Sequence, residues 1–329
     1  MTMIVGLLTG ILVLTGWVVP GWAADFRLRA AHEAPAGTLF DHGHQFFAKR
    51  VAELSRGRIA VEVFPGGQLG SEVAMVEGVR LGSIDVTAAQ AANMATVVPE
   101  LAIFSVSYLF RDKDHYDRVL NDPKFQKRVE ELVAARNVGL KVIGFYGGAM
   151  RSVYVRTAPV RTPDDLRGLK LRVMNNPIES KIWKALGAIP TPMNFAEVYS
   201  ALQTGVIDGG ETIPSVMETS KLYQPAKFVS LTEHQFTFAP LVINEKRFAG
   251  LPAELQKVVL DAGREAAAVE RKQETEDNVA AVNRVQSLGA DVVRPDKSKF
   301  QAAVASIHEE VARELKVTDI LQMIRDAAR

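Results

Sequence analysis

Stretches patterned for helix and stretches patterned for strand take turns along almost all of this 329-residue chain. That alternation is its strongest constraint, because strands separated by helical crossovers assemble into α/β layers. Phe40, Phe47, Val51 and Leu54 form a helical stripe that Gly57 ends, and Ile59, Val61 and Val63 then alternate as a strand. After the Pro65-Gly66-Gly67 turn, a helix is predicted over 71–81, stopped by Gly82, with a strand over 84–88 behind it. Further helices are expected over 125–136, 178–186, 195–204 and 251–288, and strands over 140–146, 169–174, 206–208 and near Val292. Thr162 followed by Pro163 and two acids reads as a helix start, and a terminal helix is expected from about Ser298.

One unit repeats. A helix, Gly82 and Ser83-Ile84-Asp85 return in the second half as a helix, Gly205 and Val206-Ile207-Asp208. Two similar α/β lobes around a cleft would produce that echo, and the expectation is a separate sheet in each lobe.

The N-terminus says where the chain goes. Residues 1–24 carry no charged side chain, and an apolar run from Ile4 to Val19 leads into Pro20-Gly21-Trp22-Ala23-Ala24. An apolar run followed by small residues reads as a secretory signal peptide, cut after Ala23 or Ala24. No Lys or Arg precedes the run, and an uncleaved anchor is the other reading, since its length approaches the ~18–20 residues that span a bilayer. In both readings the folded part starts near Asp25 and lies outside the cytoplasm.

Charge and composition remove several function classes. Lys and Arg number 39 against 38 Asp and Glu, so there is no whole-chain field for gripping nucleic acid or an anionic membrane. The absence of cysteine excludes thiol nucleophiles, Fe–S clusters, disulfides and Cys-ligated zinc. His42 and His44 sit two positions apart, roughly 200° around a helix, so they do not face one ion and read as solvated histidines. Gly66-Gly67-Gln68-Leu69-Gly70 lacks the ending of a phosphate loop, and neither Gly-x-Ser-x-Gly nor His-Glu-x-x-His occurs. No metal, cofactor or catalytic set is expected.

Two arginines are more informative. Arg172 lies between Leu171 and Val173 in a predicted strand, where an unpaired guanidinium is costly unless it meets an anion or reaches water. Arg151 follows Gly147-Gly148-Ala149-Met150 at the end of another strand, the place where open α/β sheets bind ligands. A salt bridge or a surface position would account for either one equally well.

Asp165-Leu166-Arg167-Gly168-Leu169-Lys170-Leu171-Arg172-Val173 resembles the "DLKGLKIRV" signature of DctP-type substrate-binding proteins of TRAP (tripartite ATP-independent periplasmic) transporters. Four more blocks in the same order support it. They are Val61-Glu62-Val63-Phe64-Pro65 with Gln68-Leu69-Gly70, Tyr108-Leu109-Phe110-Arg111-Asp112, Leu186-Gly187-Ala188 through Tyr199, and Ala201-Leu202-Gln203-Thr204-Gly205-Val206-Ile207-Asp208-Gly209.

The resemblance implies a two-lobed periplasmic-binding-protein (type II-like) α/β fold with crossing strands and a long lobe-spanning helix. The lobes are expected at 25–149 plus about 236–275, and at 150–235 plus about 276–329. It also implies a periplasmic receptor, without cofactor, that captures an organic acid and hands it to small and large membrane subunits. A monomer is expected, with no nucleic-acid partner. Arg172 matches the Arg that takes the ligand carboxylate through two parallel hydrogen bonds, a geometry that Lys does not reproduce. Arg151 matches a second cleft Arg, Asn175 an Asn beyond the signature, and Phe195 an aromatic covering the ligand. Gln90, Asn93, His32 and His234 are expected at or near the same cleft. The closing block reads Gly209-Gly210-Glu211-Thr212-Ile213-Pro214, so Thr212 follows Glu211 where relatives commonly carry an Asn. One hydroxyl replaces an amide, which shifts the expected substrate while leaving the carboxylate anchor. The other readings are a receptor feeding a signalling partner and a secreted enzyme acting on a carboxylated substrate.

Overall fold

The computed structural model describes residues 24–328; the expected leader and its cleavage site lie outside them. A first unit is built from β1 (Phe26–Ala31), α1 (Leu39–Leu54), β2 (Ile59–Phe64), α2 (Glu72–Leu81), β3 (Val86–Ala88) and α3 (Ala91–Met94). A 3₁₀ stretch over Pro99–Ser105 and helices α4 (Lys113–Asn121) and α5 (Pro123–Ala135) lead into the long strand β4 (Leu140–Val155). The second unit holds β5 (Lys170–Val173), α6 (Pro177–Ala185), β6 (Ile189–Pro192), α7 (Val198–Thr204), β7 (Gly209–Thr212) and α8 (Pro214–Thr219). The chain returns through β8 (Phe228–Asn244), α9 (Glu245–Ala249) and α10 (Ala253–Ser287). It closes with β9 (Asp291–Val293), α11 (Ser298–Glu314) and α12 (Thr318–Asp326). Among the described residues, no helix is long and apolar enough to cross a membrane.

Among the described residues the strands form one ladder in the order β2-β1-β3-β8-β4-β7-β5-β6, with β9 beside β8. β4 and β8 pair antiparallel from Leu140 opposite Asn244 to Val155 opposite Phe228. One end of this ribbon carries the parallel group β3-β1-β2, and the other carries β7-β5-β6. The expected pair of separate sheets is therefore corrected to two strand groups sharing one hydrogen-bonded ladder. The cause is β4, which does not stop at residue 146 but pairs with β8 to Val155. The ribbon changes register between Gly147 and Met150. Gly147 has φ 111°, and a Cβ there would lie 2.3 Å from the Thr237 carbonyl oxygen, so only glycine fits this bend.

The echo is a repeated junction. Gly82 and Gly205 both end their helices in the left-handed region, at φ 82° and 76°. Asp85 then receives the Arg29 backbone N–H on its carboxylate at 2.7 Å and donates its own N–H to the Arg29 carbonyl at 2.9 Å. Asp208 does the same with Lys170, at 2.9 and 2.8 Å. Each Asp carbonyl also accepts an N–H from just beyond or at the end of a crossing strand, Asn244 in one case and Arg156 in the other, at 2.8 Å. The second strand accordingly begins at Gly209, after the Asp, rather than at Val206.

Helix α10 binds the two units together. Leu255, Val259, Ala262 and Ala266 are buried with Phe47, Val51 and Ile143, whereas Val285 joins the core around Val198, Leu202 and Met217. Each fully buried Leu or Val side chain among them contributes roughly 1.5–3 kcal/mol over leaving it in water. Arg50–Glu265 at 2.6 Å and Arg284–Glu218 at 2.8 Å pin α10 to either side. Between them, Glu270 accepts the Gly147 N–H at 2.8 Å, and Glu274 accepts the Ala149 N–H at 3.1 Å and the Thr237 hydroxyl at 2.9 Å. The expected single terminal helix is two, separated at Lys316 with φ 58°, and α12 docks on α4 and α5 through His115–Ile324 and Arg128–Asp319.

Candidate functional site

The parallel strands of both groups point their carboxyl ends at the same place, where they meet the bend in the crossing ribbon. A cleft opens there, partly exposed to solvent. The loop after β1 supplies Glu33, Ala34 and Pro35, α1 supplies Phe40, α2 supplies Glu72, the β3–α3 turn supplies Gln90, and α3 supplies Asn93. From the other group come Arg172, Met174, Phe195, Thr212, Ile213 and Val216, while the crossing strands contribute Arg151 and Thr237.

Arg172 is 4% exposed, and its Nε and Nη2 both donate to the Met193 carbonyl oxygen, at 3.1 and 3.0 Å. Among the described residues no carboxylate oxygen lies within 4.0 Å of its guanidinium. The Phe195 ring sits over it, 5.8 Å from Cζ to centroid. Among the described residues, its direct contacts are thus a neutral carbonyl and an aromatic face.

Arg151 is different. Its Nε and Nη2 donate to the two carboxylate oxygens of Glu211 at 2.5 and 2.8 Å, and Nη2 also reaches the Glu211 carbonyl at 3.0 Å. Burial alone would raise the Glu211 carboxyl, but Arg151 and the nearby His234 ring outweigh it and hold the carboxyl down at about 2. Arg151 thus lines the cavity with its charge already neutralised. β7 lies beside β4 with Glu211 opposite Val153, and that adjacency brings the carboxylate to Arg151.

Of the other residues expected at the cleft, Phe195, Thr212, Gln90 and Asn93 line the cavity. Glu211 and His234 lie beneath its floor, fully or almost fully buried, with His234 Nε2 3.4 Å from Glu211 and Nδ1 2.9 Å from the Thr232 hydroxyl. His234 also packs edge-on against Trp183, at 4.9 Å between centroids. Asn175 lies outside the lining and donates to the Asn194 side chain at 3.0 Å. His32 is corrected from a lining residue to a buried one, 3.2 Å from Asp41 and 4.7 Å from the His44 ring, because the chain turns Glu33 to the cavity in its place. The expectation that His44 is solvated also fails. It is fully buried, donates from Nδ1 to the Phe40 carbonyl at 2.7 Å, and burial holds its pKa down at about 3. Among the described residues no group of three or more His, Asp or Glu is placed to hold a metal.

The sequence reading missed Glu33, Glu72 and Thr237. Glu72 accepts the Gln90 N–H at 2.9 Å and the Asn93 side-chain amide at 2.8 Å, so it builds the wall that those two residues present. Burial raises its pKa against those hydrogen bonds. Glu33 is pushed up to about 7, first by burial and then by the nearby Glu72 charge, with Arg172 opposing. Two glutamates facing an arginine across strand ends leave no short-range trace in a sequence. The one available signal was their position directly after β1 and at the first turn of α2.

Comparison with known proteins agrees with this geometry. A family model for bacterial extracellular solute-binding proteins, family 7 (DctP), matches residues 30–315. The 2,3-diketo-L-gulonate-binding periplasmic protein of Escherichia coli K12 is 34% identical over 278 residues, covering 84% of this chain and 82% of its own. A TRAP periplasmic solute-binding protein from Sulfitobacter sp. NAS-14.1, solved with β-D-galacturonate, superposes with a TM-score of 0.86 at 30% identity over 91% of this chain and 99% of its own. The sugar-acid-binding protein of Advenella mimigardefordensis, solved with galactonate, gives 0.87 at 26% identity over 93% and 99%. The chain belongs to the bacterial extracellular solute-binding proteins of family 7, the DctP-type receptors of TRAP transporters.

Proposed function

We propose that this protein captures a sugar acid, of the uronate or aldonate kind, by its carboxylate and passes it to the small and large membrane subunits of a TRAP permease. The observation that carries the reading is Arg172, buried, without an anionic partner, and facing a cavity that fits a small polar molecule. Phe195 covers the guanidinium, and Gln90, Asn93 and Thr212 offer amides and a hydroxyl to the rest of the ligand. Asn175, His32, Glu211 and His234 act behind the wall, holding the residues that touch the ligand. Relatives solved with galacturonate and galactonate support the choice of acid.

The lobes are 25–149 with about 236–275, and 150–235 with about 276–329. Glu33, Glu72, Gln90 and Asn93 come from one lobe, and Arg172, Phe195 and Thr212 from the other. A ligand touching both favours closure, and the bend at Gly147 with its partner strand β8 is where closure turns. The protein works as a monomer in the periplasm after export by its leader, catalyses no reaction and needs no cofactor.

A thermal-shift series of the mature protein with D-galacturonate, D-glucuronate, D-galactonate and their amides tests this. An acid at about 100 times its Kd adds about 2.7 kcal/mol of stability. A shift with an acid and none with its amide is expected. Equal shifts with acid and amide would remove the role given to Arg172.

A further inference from the structure

The cavity carries two carboxyl groups beyond the cation that an acid receptor needs. Glu33 and Glu72 both line it, while Arg151, the second lining cation, is consumed by Glu211. Among the described residues lining the cavity, that leaves Arg172 as the cation without a carboxylate partner. Glu33 has no side-chain partner beyond the Glu72 backbone N–H beside it, and Glu72 uses one oxygen, Oε2, for Gln90 and Asn93. Among the described residues, its other oxygen has no protein donor. The wall opposite the guanidinium therefore sets two ionisable carboxyl groups beside the Gln90 and Asn93 amides.

We propose that Glu33 and Glu72 select acids with one carboxylate and several hydroxyls, and exclude acids with a second carboxylate at the far end. This rests on the sugar-acid reading and names the part of the site that would enforce it. Hydroxyl groups donate to carboxylates in charge-assisted hydrogen bonds, which are stronger than neutral ones. A second ligand carboxylate would instead meet like charges in a site partly closed to water, where repulsion is weakly screened. Arg151 cannot relieve it without abandoning buried Glu211. Burial is the larger cause of the high pKa of Glu33, and the Glu72 charge beside it adds to it.

The test is calorimetric titration at about pH 8, where an acid with pKa near 7 is mostly ionised. It uses acyclic matched pairs that differ only in the far carbon, a primary alcohol in one and a carboxylate in the other: D-galactonate with galactarate, and D-gluconate with D-glucarate. Wild type is expected to bind each monoacid at least about tenfold more tightly than its diacid. Glu33→Gln is expected to narrow that ratio by about tenfold, mainly by strengthening the diacid. Glu72→Gln is the second variant, with circular dichroism confirming its fold, since Glu72 also holds Gln90 and Asn93. A wild type that binds diacid and monoacid alike, or ratios unchanged in both folded variants, overturns the inference while the sugar-acid reading stands. No binding of any of the four to wild type overturns that reading and the inference with it.

Discussion

Replacing Arg172 with Lys separates charge from shape. The guanidinium spends Nε and one hydrogen of Nη2 on the Met193 carbonyl and keeps its remaining N–H groups for the cavity. Two parallel hydrogen bonds to a ligand carboxylate are available to Arg and not to Lys, whose single ammonium is also one bond shorter in reach. Losing one member of a buried, hydrogen-bonded charge pair costs about 2–5 kcal/mol, or roughly 30- to 5,000-fold in affinity. The ligand-free protein should change far less, because Arg172 neutralises no carboxylate there. The loss of its contact leaves one carbonyl to be satisfied, a cost of about 1–3 kcal/mol at most. Titration calorimetry with the acid found in the thermal-shift series reads the binding, and thermal melts without ligand read the fold. An unchanged Kd in a folded Arg172→Lys protein would mean that the anchor lies elsewhere.

Arg151→Met is expected to act in the opposite way, on stability first. It strands Glu211, which is fully buried, and breaking such a pair typically costs about 3–5 kcal/mol. Urea melts should show the midpoint fall without ligand; a midpoint equal to wild type would contradict the pairing. Glu274, on α10 against the ribbon bend, is pushed up to about 7 by burial. A carboxyl with a raised folded pKa binds more protons native than unfolded, so its contribution to stability is lost as pH rises from about 4.5 through about 7. Glu274→Gln, which keeps an oxygen for Ala149 and Thr237, should therefore raise the melting temperature at about pH 8 more than at about pH 5. Equal changes at both pH values would show that the group titrates normally.

Local signals carried most of the elements. The stripe from Phe40 to Leu54, the alternation at Ile59–Val63 and the glycine stops at Gly82 and Gly205 act within a few residues of themselves, so they survive in a sequence read alone. The repeated Asp85 and Asp208 units belong with them, because the same local turn makes the same backbone bonds twice. The family blocks, and the strand position of Arg172 between buried neighbours, were legible for the same reason.

What pairs with what was not legible. β4 runs through Gly147, Gly148 and Met150, a stretch that reads as a break, because β8 lies alongside and supplies hydrogen bonds that outweigh local preference. Arg151 and Arg172 look alike in sequence, and each could be structural or free. Sixty residues downstream of Arg151, Glu211 is brought beside it by β7 lying next to β4, and no comparable carboxylate reaches Arg172. Glu33 and Glu72, from opposite ends of the first unit's β-strands and helices, share a cavity wall only after β1 and β3 pair and α2 packs behind them. Helices, turns and the signature motif were set by near neighbours in the chain; which charges are cancelled and which face a ligand was decided by partners far away in it, since Coulomb interaction and burial depend on distance in space and not on separation in sequence.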